Sequence, residues 1–354
     1  MRRILLFLML TLGVGLTGLA GVMTMTGATS AAMPERSRET AAPAPPPPPV
    51  DLVAIERIWR DWMARHGIET SAMAVGAAGE VIHSAGAGRD PAAPRPVASL
   101  SKAITALCVN DILQGAGLTW STTMGDIAEA LGTARVTPPY HVRAITLGQL
   151  VTHSGGLSPD ITQGDMVSRL HGSLGLHRRI AWQAMQKDAV RGEPGTYFYS
   201  NTNYALLGTV AEALTGDTYA AACMDRIAAP AGATGAVIEG RMGSMSSYAG
   251  WEISAEDFTR LAMHWFGADR PWVADPAAYP LVKGYGLGVD VTGKGADAVM
   301  THAGRLCSRE DPDNNIGALF VATGEGIAFA ANWDGCMQPG VYTDLSQAIS
   351  RALR

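Results

Sequence analysis

The order of patterns along the chain predicts an α+β fold, with an antiparallel sheet assembled from both chain ends and a large helical domain inserted between them. Two short strand-like runs precede residue 99, helix-period patterns fill the middle, and four more strand-like runs follow residue 280. The chain has 354 residues, 47% hydrophobic and 17% charged, enough to bury a large core. Its net charge of −5 carries neither a disorder signature nor the basic excess of a nucleic-acid binder, so no nucleic-acid partner is expected.

Met1-Arg2-Arg3, the apolar run 4–25 and the small residues Ala28-Thr29-Ser30-Ala31-Ala32 have the layout of an export signal, assigned to 1–32. The 22-residue run is also long enough to cross a bilayer, so a cleaved signal and an uncleaved membrane anchor both stay open. Either one places the folded part in an extracytoplasmic compartment, periplasmic or secreted. Residues 33–50 contain five consecutive prolines ending at Pro49, which predicts an extended polyproline linker. The folded domain is then 51–354, with 51–101 and 281–354 forming the sheet part and 102–280 the helical part.

Within it, residues 51–65 place Leu52, Ile55, Ile58, Trp59, Trp62 and Met63 on one helical stripe. The runs 71–77 and 80–85, split by Ala78-Gly79, form a hairpin pattern. Helical patterns follow at 103–113, 145–152, 204–214, 219–227 and 255–265. Strand patterns return at 286–291, 298–303, 316–322 and 326–331, and Leu345, Ala348, Ile349, Ala352 and Leu353 give a closing helix over 343–353 a single apolar face. A functional cleft is expected between the sheet and the helical part.

The chemistry-bearing motif is Ser99-Leu100-Ser101-Lys102 at the start of a helix pattern. Residues three apart on a helix share a face, so a hydroxyl and an amine meet there. A serine becomes a nucleophile when a neighbouring base takes its proton, and burial lowers a lysine's pKa toward that role. A plain helix start capped by Ser99 explains the same residues, so the motif needs company. Tyr199-Ser200-Asn201 precedes a helix pattern that it could merely cap, and His302-Ala303-Gly304 lies on a late strand, where a structural histidine is ordinary.

Together and in this order, Ser-x-x-Lys, Tyr-x-Asn and His-x-Gly resemble the signatures of the penicillin-recognising serine hydrolases. The likeness is to the class C β-lactamase-like branch, with its D,D-carboxypeptidases, D-aminopeptidases and esterases. The segments 150–157, 199–208 and 285–288 look like that family's landmarks, and the resemblance covers about residues 51–354. It implies a β-lactamase/transpeptidase-like fold with a five-stranded antiparallel sheet, and a serine hydrolase acting through an acyl-enzyme. Ser99 would be nucleophile and Lys102 base. Tyr199, its pKa lowered by the neighbouring ammonium, would relay protons, and Asn201 would hold Lys102 and the substrate amide. The backbone N–H groups of Ser99 and Arg305 would form the oxyanion hole, with Gly304 allowing close approach of the substrate. No metal or organic cofactor is implied, and the expected partner is a small-molecule or peptide substrate.

His302 departs from the lysine that β-lactamases carry there, because histidine is neutral at most working pH values. The expected activity is therefore peptidase- or esterase-like cleavage of an amide or ester. D,D-carboxypeptidase or β-lactamase action is the alternative, and a non-catalytic cell-envelope binding protein is the reading from another class. Arg305-Leu306-Cys307 stands where relatives carry small residues, so the Arg305 side chain would either recover a carboxylate contact or point into solvent.

Among the four cysteines, Cys307 and Cys336 each follow a strand-like run and are expected to pair, whereas Cys108 and Cys223 lie on apolar helix patterns as buried thiols. His153 is expected to be a hydrogen-bonded structural residue, Trp59, Trp62 and Trp265-Phe266 core residues, and His177-Arg178-Arg179 a solvated surface.

Overall fold

The computed structural model describes residues 50–354 apart from 164–165, 167–168, 170–171, 187–190, 239, 309–311 and 313–314. Residues 1–32, expected to be an export signal or membrane anchor, and almost all of the expected proline linker lie outside the described residues, within which no helix is long and apolar enough to cross a membrane.

Asp51 caps α1 (Leu52–His66) by accepting from Ala54 N at 2.9 Å, and Gly67 ends the helix in the left-handed conformation that glycine adopts without strain. Strands β1 (Ser71–Ala77) and β2 (Glu80–Ala87) form the expected hairpin, turned by Ala78 and Gly79 at φ 53° and 83°. A short pair, β3 (Arg95–Pro96) and β4 (Glu252–Ile253), ties the ends of the helical region together. That region contains α2 (Ser101–Gly115), α3 (Ala128–Thr133), α4 (Leu147–Val151), α5 (Leu176–Ala184), α6 (Asn201–Thr215), α7 (Tyr219–Cys223), α8 (Ser246–Ala249), α9 (Ala255–Trp265) and α10 (Pro271–Ala274). The chain closes with β5 (Tyr285–Gly286), β6 (Val289–Thr292), β7 (Val299–Leu306), β8 (Ile316–Thr323), β9 (Ala328–Asp334) and α11 (Pro339–Ala352).

The main sheet has seven strands in the order β2-β1-β9-β8-β7-β6-β5, every neighbouring pair antiparallel, rather than the five expected. One reason lies in residues 286–291, a single run by pattern that folds as two strands. Leu287 and Gly288 take φ 49° and 81° and reverse the chain there. Gly288 is also required sterically, because a Cβ there would overlap the Lys102 carbonyl.

Side chains alternate across the sheet. Met73, Val75, Leu319, Val321, Phe329 and Trp333 join Trp59 and Trp62 of α1 and Leu345 and Ile349 of α11 in one core. Met300, Leu306, Ala318, Phe320 and Ala330 face the other way, into the larger core shared with the helices. Strands covered on both faces read as unbroken apolar runs, which is why β8 and β9 show little alternation in sequence. Although α9 falls inside the helical region, it packs on β1, β9 and β8.

Cys307 and Cys336 are bonded, joining the end of β7 to the approach to α11. Cys108 and Cys223 are bonded as well, correcting the expectation of buried thiols. The packing of α2 against α7 brings their Cα atoms to 5.3 Å, inside the range a disulfide spans.

Candidate active site

Ser99 sits in a 3-10 turn, Ala98–Leu100, that leads directly into α2. Ala98 enters it at φ 46°, a left-handed conformation strained for alanine, and Val97 N and Ser101 Oγ anchor the turn to the backbone of Trp251. The turn presents a partly accessible hydroxyl while Lys102, one turn on, is fully buried.

Lys102 Nζ lies 3.0 Å from Ser99 Oγ, 2.7 Å from Asn201 Oδ1 and 2.8 Å from the Tyr248 carbonyl. Burial, opposed by the charge of Asp160, holds its pKa down to about 7. A neutral amine has two hydrogens and one lone pair. The Asn201 and Tyr248 oxygens take both hydrogens, so the lone pair is left facing the serine hydroxyl.

Asn201 is fixed in the orientation this requires. Its Nδ2 donates to Thr162 Oγ1 at 2.8 Å, and Thr162 Oγ1 donates to Asp160 Oδ1 at 2.9 Å. Asp160 Oδ2 accepts from the Asn201 backbone N–H at 2.9 Å. Asp160, Thr162 and the Tyr248 carbonyl were missed by sequence reasoning. Locally, Asp160 and Thr162 look like an ordinary Asx turn, with Thr162 N donating to Asp160 Oδ1, and nothing in that pattern points 41 residues ahead.

Tyr199 immediately precedes Ser200, the N-cap of α6, and shares a hydrogen bond with Ser99, while its ring lies 5.1 Å from Lys102 Nζ. Its pKa is raised, not lowered as expected, because burial outweighs the Ser99 bond, and the nearby Asp160 and Asp290 charges push the same way. Tyr199 is therefore a phenol, able to donate a proton, throughout the working pH range.

His302 lies 6% exposed on β7, its ring stacked 6.3 Å from that of Tyr199. Burial and the adjacent Lys102 push its pKa down to about 3 against the opposing pull of the Ser99 backbone. It is therefore a neutral ring. Strand β6 pairs with β7 only as far as Thr301, so the edge of β7 from His302 to Leu306 is left open. Gly304 brings that edge against the turn that holds Ser99. A Cβ there would overlap the Val97 carbonyl and stand 3.0 Å from Ser99 N.

Arg305 points to the α11 side of the strand and donates to Met337 O at 3.4 Å. His153 is buried, accepts from Ser200 N at 3.2 Å and packs its ring 4.3 Å from Tyr199, the structural role expected of it. Trp59, Trp62 and Phe266 are buried, and Trp265 is partly buried. His177 departs from its expected solvated place: it is 1% exposed, with Nε2 3.3 Å from Glu212, because α5 packs that face on α6.

Ser99, Tyr199, Asn201 and His302 line one cleft of about 1200 Å³, with Tyr285 and Asp290 on one wall and Arg305, Gln338 and Tyr342 on another. An accessible hydroxyl, a buried base and a neutral proton donor converge there, which is the equipment of acyl transfer.

The family model described as Beta-lactamase matches residues 55–334. Among solved structures, the chain is similar to the octameric penicillin-binding protein homologue from Pyrococcus abyssi at TM-score 0.64 and 18% identity, covering 86% of this chain and 77% of that one. It is similar to a D-stereospecific amidohydrolase from Streptomyces sp. at TM-score 0.61 and 20% identity, covering 84% and 98%. It also resembles the D-amino acid amidase from Ochrobactrum anthropi SV3, at TM-score 0.64 and 16% identity, covering 85% and 96%. No curated protein matches the chain in sequence.

Proposed function

The chain belongs to the beta-lactamase family, and from that membership we propose that it is an exported serine hydrolase cleaving an amide or ester through an acyl-enzyme on Ser99. The observation that carries this is the wholly buried Lys102, its pKa held near 7 and its lone pair directed at Ser99 Oγ by two fixed acceptors.

Neutral Lys102 takes the Ser99 proton as Oγ attacks the substrate carbonyl carbon. The backbone N–H groups of Ser99 and Arg305 receive the oxyanion, and such a donor is worth about a hundredfold or more in rate. The intermediate collapses as Tyr199 protonates the leaving amine or alcohol, and Lys102 returns a proton to Tyr199. Water then attacks the acyl-enzyme with Lys102 again as base, releasing the acid and restoring the Ser99 hydroxyl.

The neutral His302 supports substrates that need no carboxylate contact at that position, and thus D-aminoacyl amides, peptides or short esters over β-lactams and D-Ala-D-Ala carboxylates. Export is supported by the basic-apolar-small N-terminus, and the two disulfides favour an oxidising compartment.

A fluorophosphonate probe should label the wild type and not Ser99→Ala. A panel of nitrocefin, D-Ala-D-Ala peptides, D-aminoacyl amides and p-nitrophenyl esters should show turnover of amides or esters. Fast nitrocefin hydrolysis would move the protein to the lactamase reading. Absence of both label and turnover would leave a binding protein.

A further inference from the structure

We propose that a second groove, between the end of α3 and one face of α5, binds a small sugar acid or sugar phosphate. The groove has a volume of about 680 Å³, is lined by Thr133, Ala134, Arg135, Val136, Arg178, Arg179 and Trp182, and shares no residue with the catalytic cleft. That volume suits a mono- or disaccharide.

Three arginines and no acidic residue line it, on a chain whose net charge is −5. Arg178 meets Glu212 at 3.4 Å, whereas Arg135 and Arg179 have no ion-pair partner among the described residues. Gathering these cations opposes local stability in two independent ways. Arg178 and Arg179 stand near the start of α5, whose first turn holds no acid and whose dipole disfavours positive charge there. Arg135 ends α3 at φ 62°, a conformation suited to glycine, held by Arg135 N to Gly132 O and Val136 N to Leu131 O, both 3.0 Å.

A bound anion would relieve the mutual repulsion, and planar guanidinium forks match phosphate and carboxylate oxygens. Trp182 supplies the other half of the site. It lies one turn beyond Arg178 and Arg179 on α5 and is 49% exposed, offering the flat apolar surface on which a pyranose ring packs beside its anionic group.

The test is calorimetric titration of the full-length protein with glucose 6-phosphate and with glucuronate, alongside glucose and inorganic phosphate, at low and high salt. Saturable binding of at least one anionic sugar is expected, weakened by salt and reduced about tenfold or more in R135A/R179A and in W182A, with hydrolytic activity unchanged. R135G removes the charge while easing the backbone, so it should fold at least as stably as the wild type and still lose affinity. No saturation by either anionic sugar up to about 10 mM, unchanged affinity in the variants, or equal binding of inorganic phosphate would each overturn the proposal.

Discussion

The two faces of the main sheet are built to different standards. The face under α1 and α11 is a close-packed apolar layer in which the two indoles of α1 find partners, Trp59 donating to Ser71 at 3.0 Å and Trp62 to the Val341 carbonyl at 2.9 Å, while Trp333 Nε1 is left without one. The face toward the helices carries His302, buried with neither ring nitrogen partnered by a side chain, and packs beside the buried Lys102 of α2. It also carries alanine, histidine, serine and leucine at positive φ, at positions 98, 153, 246 and 287. Backbone strain thus gathers around Ser99, and the opposite face is given over to apolar packing.

The sharpest way to break this contrast is Lys102→Arg, which keeps a cation but abolishes a base that can be neutral near pH 7. Turnover should fall by about 10² to 10⁴ with the fold intact by circular dichroism, and retained activity would remove Lys102 from the mechanism. Next, Gly304→Ala should force β7 away from the Val97–Ser99 turn. It should cost about a hundredfold in kcat and about 1–3 kcal/mol of stability, measured by steady-state kinetics and urea unfolding.

The pH profile of kcat/KM is a smaller test. Because Lys102 must be neutral to accept a proton and its pKa lies near 7, the rate should climb about tenfold per unit up to that pH and level off above it. A profile still rising past pH 9 would mean an unperturbed amine. On the other face, Trp62→Phe should lower stability by about 1–3 kcal/mol while leaving kcat per folded molecule unchanged. A matching loss of kcat would show that the two faces are coupled.

Much of this division was legible in the sequence. The Trp59–Trp62 stripe and the closing helix announce the packed face through their periodicity, whereas Ser99, Lys102, Tyr199, Asn201 and His302 are picked out together only by their resemblance to the motifs of a known family. What escaped was set by tertiary contact. The direction of the Tyr199 shift depends on how deeply the ring is buried, the Cys108–Cys223 bridge on two helices meeting 115 residues apart, and the Asp160–Thr162–Asn201 relay on a turn folding over α6. One of the two extra strands arose from a two-residue reversal at Leu287-Gly288 inside one continuous apolar run.

The Cys307–Cys336 bridge also has a practical meaning. It closes a 29-residue interval containing β8 and β9, and both of its cysteines line the Ser99 cleft, Cys307 two residues from the proposed oxyanion donor Arg305. Material folded in a reducing cytoplasm would carry this rim untied, so a preparation's measured turnover reflects its oxidation history as much as its sequence. Counting free thiols before any kinetic comparison separates a catalytic defect from an unclosed loop.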